Sequence, residues 1–295
     1  LETFDPSIEA LPGIADRDSR ECLTAQLIES MRRRRFVVEY LRSAKLSDSC
    51  LVPATGKFDP IRGAILKSRD GELDEACWLV FLSVQFGYHR KRGWDLVSAF
   101  YGRDGGTKLW TWEEASRDLP GVRAWLDANR AQLSASGLAF GNHRKYESLS
   151  GSSGPGTGSV VSSYVGWVAS AGHAGGRPEA VSAANGEEQF RLVFKAMKKV
   201  HRFGRIARFD YLTMLGKTGV FPALVPDSTY LANVSGPRAG ASLLLDGGLK
   251  SQHSPRQLER RLVPIREAIN VTNDVLEDAL CNWQKSPTAF VPFRG

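Results

Sequence analysis

Phe190, Val193, Phe194 and Met197, with His201 one turn further on, recur at steps of three and four residues. A helix gathers that spacing on one stripe, whereas a strand scatters it over both faces, so these residues predict a buried helical face. Over 20–42, Leu23, Leu27, Met31, Val38 and Leu41 form a similar stripe, with Arg32–Arg35 mostly on the wet side. Residues 73–86 open with Asp74 and Glu75, which suit a helix start, and are almost wholly apolar thereafter, as a central buried helix would be. Thr111 and Glu114 carry a capping-box pattern. Beyond Pro120-Gly121, Val122, Trp125, Leu126, Asn129 and Leu133 continue an amphipathic helix. Ile265, Ile269, Leu276, Leu280 and Trp283 predict a final helix over roughly 265–284. Residues 159–169 stay open between helix and strand, because Val160, Tyr164, Trp167 and Val168 satisfy either. The fold class expected is mainly α.

Two segments rich in small residues, 148–159 and 172–187, read as loops. They suit either interdomain linkers or loops closing over a ligand, and the dense polar block beside the first favours the second. One helical domain over 1–295 is therefore expected, with two lobes, 1–150 and 187–295, joined by these flexible stretches. No apolar run approaches the ~18 residues of a membrane span, and no signal-peptide pattern opens the sequence, so a membrane partner is not expected. Cys22, Cys50, Cys77 and Cys281 form no C-x-x-C pair. They read as ordinary thiols in a reducing cytoplasm, and neither metal nor cofactor is expected. A monomer is expected.

The run Phe140-Gly141-Asn142-His143-Arg144-Lys145-Tyr146-Glu147 concentrates polar chemistry. Consecutive side chains point all round a helix or to both faces of a strand, so neither element buries such a block. Unpaired burial would be costly, which leaves a solvated surface loop or a polar site. On the second reading Arg144 and Lys145 hold a phosphate backbone, while Asn142, His143 and Tyr146 read or stack a base.

The balance of charge bears on that choice. Lys+Arg number 39 against 32 Asp+Glu, a formal net charge of +7, which favours a polyanionic partner. Arg191, Lys195, Lys198, Lys199, Arg202, Arg205 and Arg208 follow one another with few acids before Asp210. Solvated helices mix both signs, so a one-sign face points to phosphate contacts, with Lys198, Lys199, Arg202 and Arg205 at their centre. Asp210 then reads either as an ion-pair partner of Arg205 or Arg208, or as a catalytic carboxylate. Lys217, in Gly216-Lys217-Thr218-Gly219, reads as a phosphate ligand or as part of a helix terminator. Asp227 follows Pro226 where a helix start is expected, and a capping role would fix its carboxylate in direction. Gly236-Pro237-Arg238-Ala239-Gly240 is similar to the turn of a helix–hairpin–helix element, which offers backbone N–H groups to a phosphate. A plain helical hairpin turn is its rival.

Taken together, Asp74–Phe81, Phe140–Ser148, Phe203–Gly216, Pro226–Gly240 and Glu277–Lys285 resemble the α-glutamyl/putrescinyl-thymine pyrophosphorylase family. These are helical proteins linked to hypermodified pyrimidines in phage DNA, distantly similar to helix–hairpin–helix DNA glycosylases. The resemblance implies a helix–hairpin–helix glycosylase-like architecture and a double-stranded DNA substrate containing modified pyrimidines. It leaves two reactions open. As a glycosylase serving antiviral defence, the protein would flip out and excise a bulky modified base, leaving an abasic site. Asp227 or Asp210 would stabilise the cationic sugar, and His143 would assist the departing base. Asn142, Tyr146, Glu147 and Tyr211 would line the base pocket. As a transferase on phosphorylated 5-hydroxymethyluracil, the same pocket would use Arg144, Lys145, Arg205 and Lys217 on the leaving phosphate. Excision is the leading expectation, transfer the alternative; a non-catalytic reader of modified DNA is the third.

Overall fold

The computed structural model describes residues 9–293. The chain is mainly α. Its helices are α1 (Arg17–Arg35), α2 (Pro60–Arg69), α3 (Leu73–Phe86), α4 (Asp95–Tyr101), α5 (Trp112–Arg117), α6 (Leu119–Ala135) and α7 (Thr157–Ala171), followed by α8 (Pro178–Val181), α9 (Gly186–Ala196), α10 (Arg205–Thr218), α11 (Gly236–Asp246), α12 (Pro255–Ala268) and α13 (Asn273–Trp283). No strand occurs among the described residues, where extended pairing is confined to the isolated bridges His89–Gly93 and Ser148–Gly156. No helix among them is long and apolar enough to cross a membrane.

Contacts divide the chain into two compact units, one of residues 1–37 with 225–294, the other of 38–224. Both Gly/Ser-rich segments lie inside the second unit, so the division falls elsewhere than at those loops. In the first unit the chain's ends meet. Leu23 and Leu27 of α1 join a core with Leu244 and Leu245 of α11, Leu262 of α12, and Leu276, Leu280 and Trp283 of α13. Part of the arginine block is spent here: Arg33 Nη2 meets Asp278 at 2.5 Å and Arg34 Nε lies 3.6 Å from Asp274. The expected final helix is two helices. Ile269 and Asn270, the latter at φ +49, turn the chain between α12 and α13.

The same unit corrects two further expectations. Residues 226–230 start no helix. The Asp227 carboxylate instead accepts a hydrogen bond from Tyr230 Oη at 2.6 Å. Nor do residues 234–240 form a turn between two helices, since Gly236–Gly240 already belong to α11. A Cβ at Gly240 would strike the Leu280 carbonyl, and one at Gly236 would press on Cys281 Sγ, so both glycines let α11 approach α13.

The second unit is built on α3, whose residues from Ala76 to Leu82 are inaccessible to solvent. Glu75 takes the position the sequence reserves for a helix start. Its carboxylate accepts from Tyr101 Oη at 2.7 Å and from the Trp112 backbone N–H at 2.6 Å, tying α3 to α4 and α5. The ambiguous stretch is helical as α7, with Val160, Tyr164 and Trp167 buried. Phe190, Val193, Phe194 and Met197 are buried as their period requires. His201 departs from that stripe: α9 has ended, and the exposed ring meets the Gly154 carbonyl at 3.0 Å through Nε2. The segment 148–159 is fastened at several points. Asp127 accepts from the Gly151 N–H at 2.9 Å, and the Ser148 carbonyl accepts from both the Thr157 N–H and hydroxyl at 2.8 and 2.7 Å. Its glycines serve close packing: a Cβ at Gly151 would collide with the Arg123 carbonyl.

Candidate active site

Gly141 sets the start of the polar loop. Its N–H donates to the Phe86 carbonyl at 2.8 Å, and an added Cβ would meet the backbone of Gly87 and Tyr88 at 2.6–2.7 Å. Gly87 is itself at φ +70, a conformation that side chains disfavour, so two glycines lie backbone to backbone. Beside them Phe86 and Phe140 stack with centroids 5.6 Å apart. From this anchor Asn142–Arg144 form a 3₁₀ turn, closed by the Arg144 N–H on the Gly141 carbonyl at 2.8 Å.

The side chains of the loop then part company. Arg144 turns inward and is 8% exposed. Its Nε donates to the Val84 carbonyl at 3.0 Å, and its guanidinium lies 5.4 Å from the Phe203 ring centroid. Burial pulls its pKa below the usual arginine value, while Glu147 and Asp210 act to keep it charged. Glu147, half-buried, faces Arg144 Nη1 at 3.9 Å and Arg202 Nε at 3.3 Å. Arg202 stands at φ +53, so backbone strain is accepted where the loop is clasped. Arg144 Nη2 has no hydrogen-bond partner among the described residues. A buried donor left unpaired costs about 1–3 kcal/mol, a cost that an incoming acceptor would remove. His143, Lys145 and Tyr146 face solvent, Tyr146 being 84% exposed with Lys145 Nζ 5.0 Å from its ring centroid. The Asn142 side chain lies outside the described residues.

Asp210 on α10 is half-buried. Burial pushes its carboxyl above the ordinary range, and His143, then Arg205, Arg144 and Lys217, pull it back toward ionisation. The loop and α10 thus converge electrostatically on one carboxyl. Arg205 is buried with its guanidinium 4.4 Å from the Phe209 ring centroid. Arg208, the other expected partner of Asp210, donates to the Phe194 carbonyl at 2.9 Å and stacks on the Phe194 ring. Lys217 is half-buried at the end of α10, whose C-cap is Gly219 at φ +83.

Other expected site residues are placed apart. Tyr211 is wholly buried, its hydroxyl 2.9 Å from Tyr164 Oη. Lys198 and Lys199 are exposed on the 3₁₀ turn that follows α9, whereas the exposed Arg202, on the next turn, reaches back to the polar loop through Glu147. Asp227, Gly236, Arg238 and Gly240 belong to the first unit, where Arg238 is exposed and Gly240 buried.

Two clefts border the polar loop. One, of about 610 Å³, is lined by His89, Arg130, Phe140, Lys145, Glu147 and Ser148 among others. The second, of about 520 Å³, is lined by Gly154, Pro155, Ser159, His201 and Arg202. The Glu147–Arg202 ion pair therefore contributes one residue to each, and Asp210 lines neither. Sequence reasoning passed over His89 and its neighbours, although the signal was present. Phe86-Gly87-Tyr88-His89-Arg90-Lys91 repeats Phe140-Gly141-Asn142-His143-Arg144-Lys145 at five of six positions. It also passed over a buried polar chain in which Cys77 bonds to Tyr211, Tyr211 to Tyr164, and Tyr164 Oη to His173 Nδ1 at 3.2 Å.

Fold and site define a helical protein with a carboxyl among cations beside a basic, aromatic loop, an arrangement able to receive an anionic ligand. The chain belongs to the alpha-glutamyl/putrescinyl thymine pyrophosphorylase family, clade 3, whose profile it matches over residues 18–295. No curated protein and no solved structure matches it.

Proposed function

We propose that the protein is a transferase acting on a thymine-derived base in DNA whose 5-hydroxymethyl group carries a pyrophosphate. The family's description supports a pyrophosphate-bearing thymine and a glutamyl or putrescinyl amine. The observation that carries the reading is Asp210 among His143, Arg205, Arg144 and Lys217. The amine nitrogen attacks the 5-methylene carbon, the carbon–oxygen bond breaks, and its electron pair leaves with pyrophosphate. Asp210 takes the proton lost by the amine; its raised pKa makes it the stronger base. The cations meet the charge growing on the leaving group, and the unpaired Arg144 Nη2 is a donor ready for it.

The same cations weigh against excision, the reaction favoured from sequence. Breaking a glycosidic bond builds positive charge on the sugar, which the neighbouring Arg205, Arg144 and Lys217 would oppose. The two reactions leave different products. DNA carrying pyrophosphorylated 5-hydroxymethyluracil, incubated with the protein and either glutamate or putrescine, should yield a nucleoside bearing the amine and free pyrophosphate. Strand breaks on mild alkaline treatment, with no amine-bearing nucleoside, would replace transfer by excision. Intact, unaltered DNA would leave a protein that only reads the base.

A further inference from the structure

The two Phe-Gly-x-His-Arg-Lys segments are neighbours in space as well as copies in sequence. Gly87 and Gly141 touch backbone to backbone and Phe86 stacks on Phe140, so both loops leave the unit from one anchor. In the first, His89 and Gly93 close a tight turn, with the His89 N–H on the Gly93 carbonyl at 3.0 Å and the Gly93 N–H on the His89 carbonyl at 2.7 Å. That turn holds Arg90 and Lys91 in solvent at its tip, while Arg92 pairs with Asp95 at 3.1 Å. His89 Nδ1 accepts from the Arg92 backbone N–H at 3.2 Å. The neutral ring is thereby the tautomer with its proton on Nε2, a donor left for a ligand. Each loop also exposes a tyrosine, Tyr88 at 49% and Tyr146 at 84%.

His89 of one loop and Lys145 of the other line the same cleft, with Arg130 of α6 as its second cation and Ser134 and Ser148 as hydroxyl donors. Its one acid, Glu147, is already engaged by Arg144 and Arg202. Exposed cations and exposed tyrosines on two adjoining loops, beside an open cleft rather than around an enclosed pocket, match a chain of phosphates better than one small anion. We infer that the paired loops form a two-pronged clamp on a DNA phosphate backbone, which runs through the cleft between His89, Arg130 and Lys145. The inference rests on the proposed DNA substrate but assigns a second surface, apart from Asp210, that holds the strand.

The test uses the full chain and avoids residues assigned to the chemistry. Binding of an unmodified duplex 20-mer is followed by fluorescence anisotropy over a range of salt for the wild type, for Arg90→Ala/Lys91→Ala/Arg130→Gln, and for Arg90→Glu/Lys91→Glu. Each lost phosphate contact should lower the slope of log affinity against log salt by about 0.9, so the triple variant should lose roughly 2–3. The charge reversal should weaken binding further, with an unchanged melting temperature showing both variants folded. Turnover on a modified single nucleoside, which has no backbone to clamp, should survive both changes. An unchanged slope and affinity in both variants overturns the clamp while leaving the DNA reading intact. Wild-type protein without salt-dependent DNA binding overturns both. Inorganic pyrophosphate is the small-anion control: if it binds as tightly as the duplex and loses affinity in the same variants, the cleft holds a leaving group and the clamp is wrong.

Discussion

Asp210 concentrates the proposed chemistry because its two influences oppose each other. Burial favours the protonated carboxyl, and the cations of the loop and of α10 favour the carboxylate. Asp210→Asn keeps the shape and removes the base, so single-turnover transfer should fall by at least ~100-fold while DNA affinity is retained. The pH dependence has a definite sign. A carboxyl whose folded pKa lies above its ordinary value of 3.8 contributes stability that is complete below that value and lost as pH rises through the folded pKa. Melting temperatures measured across that range should therefore slope downward in the wild type more than in Asp210→Asn; parallel curves would contradict the shift. Tyr146, by contrast, touches little besides Lys145. Tyr146→Ala should change stability by no more than about 0.5 kcal/mol. Its binding of modified DNA should nevertheless drop, and an unaltered affinity would remove this ring from the interface.

At the level of elements, glycine carries two kinds of message. Gly236 and Gly240 read as a phosphate-binding turn, yet they let α11 lie against α13. Gly240→Ala forces a methyl into the Leu280 carbonyl and should destabilise the first unit by about 1–3 kcal/mol, the usual cost of overpacking. A neutral effect in thermal unfolding would show that the helices yield. The basic stretch after α9 is a separate case, because Lys198, Lys199 and Arg202 are exposed where the helix gives way to a 3₁₀ turn. If these residues contact DNA as the sequence predicts, replacing all three with alanine should lower the salt slope by roughly 2–3 and weaken all sequences alike. Discrimination between modified and plain DNA that changes with these residues would mean that they read the base instead.

Across the larger unit, a buried polar chain links α3, α7, α10 and the segment after α7 through Cys77, Tyr164, Tyr211 and His173. Burial lowers the His173 pKa to about 4, although Asp74, with Oδ1 3.6 Å from Nε2, acts to raise it. Here the folded value lies below the ordinary 6.5, so the neutral ring stabilises the fold above that pH. Stability should decline as pH falls from 6.5 toward 4, by roughly 3 kcal/mol at full protonation. His173→Gln should flatten that decline in chemical-denaturation midpoints. A slope identical to the wild type would place the acid sensitivity elsewhere.

Helical character, the buried faces of α3 and α9, the excess of basic charge and the dense polar loop could all be read from residue order. Each depends on a period or a composition within a few turns of chain, and such local regularities survive without knowledge of neighbours. Helix breaks were less legible: one periodic stripe runs through Ile269 and Asn270, because a stripe records which residues are buried and not whether one axis joins them. Tertiary structure alone decided that Arg144 turns inward while Lys145 beside it faces water, and that Asp210 sits among cations from two elements. It also brought two similar hexapeptides to a common glycine anchor and paired the first helix with the last. Desolvation and Coulomb interactions depend on distance in space, and residues far apart in sequence set both.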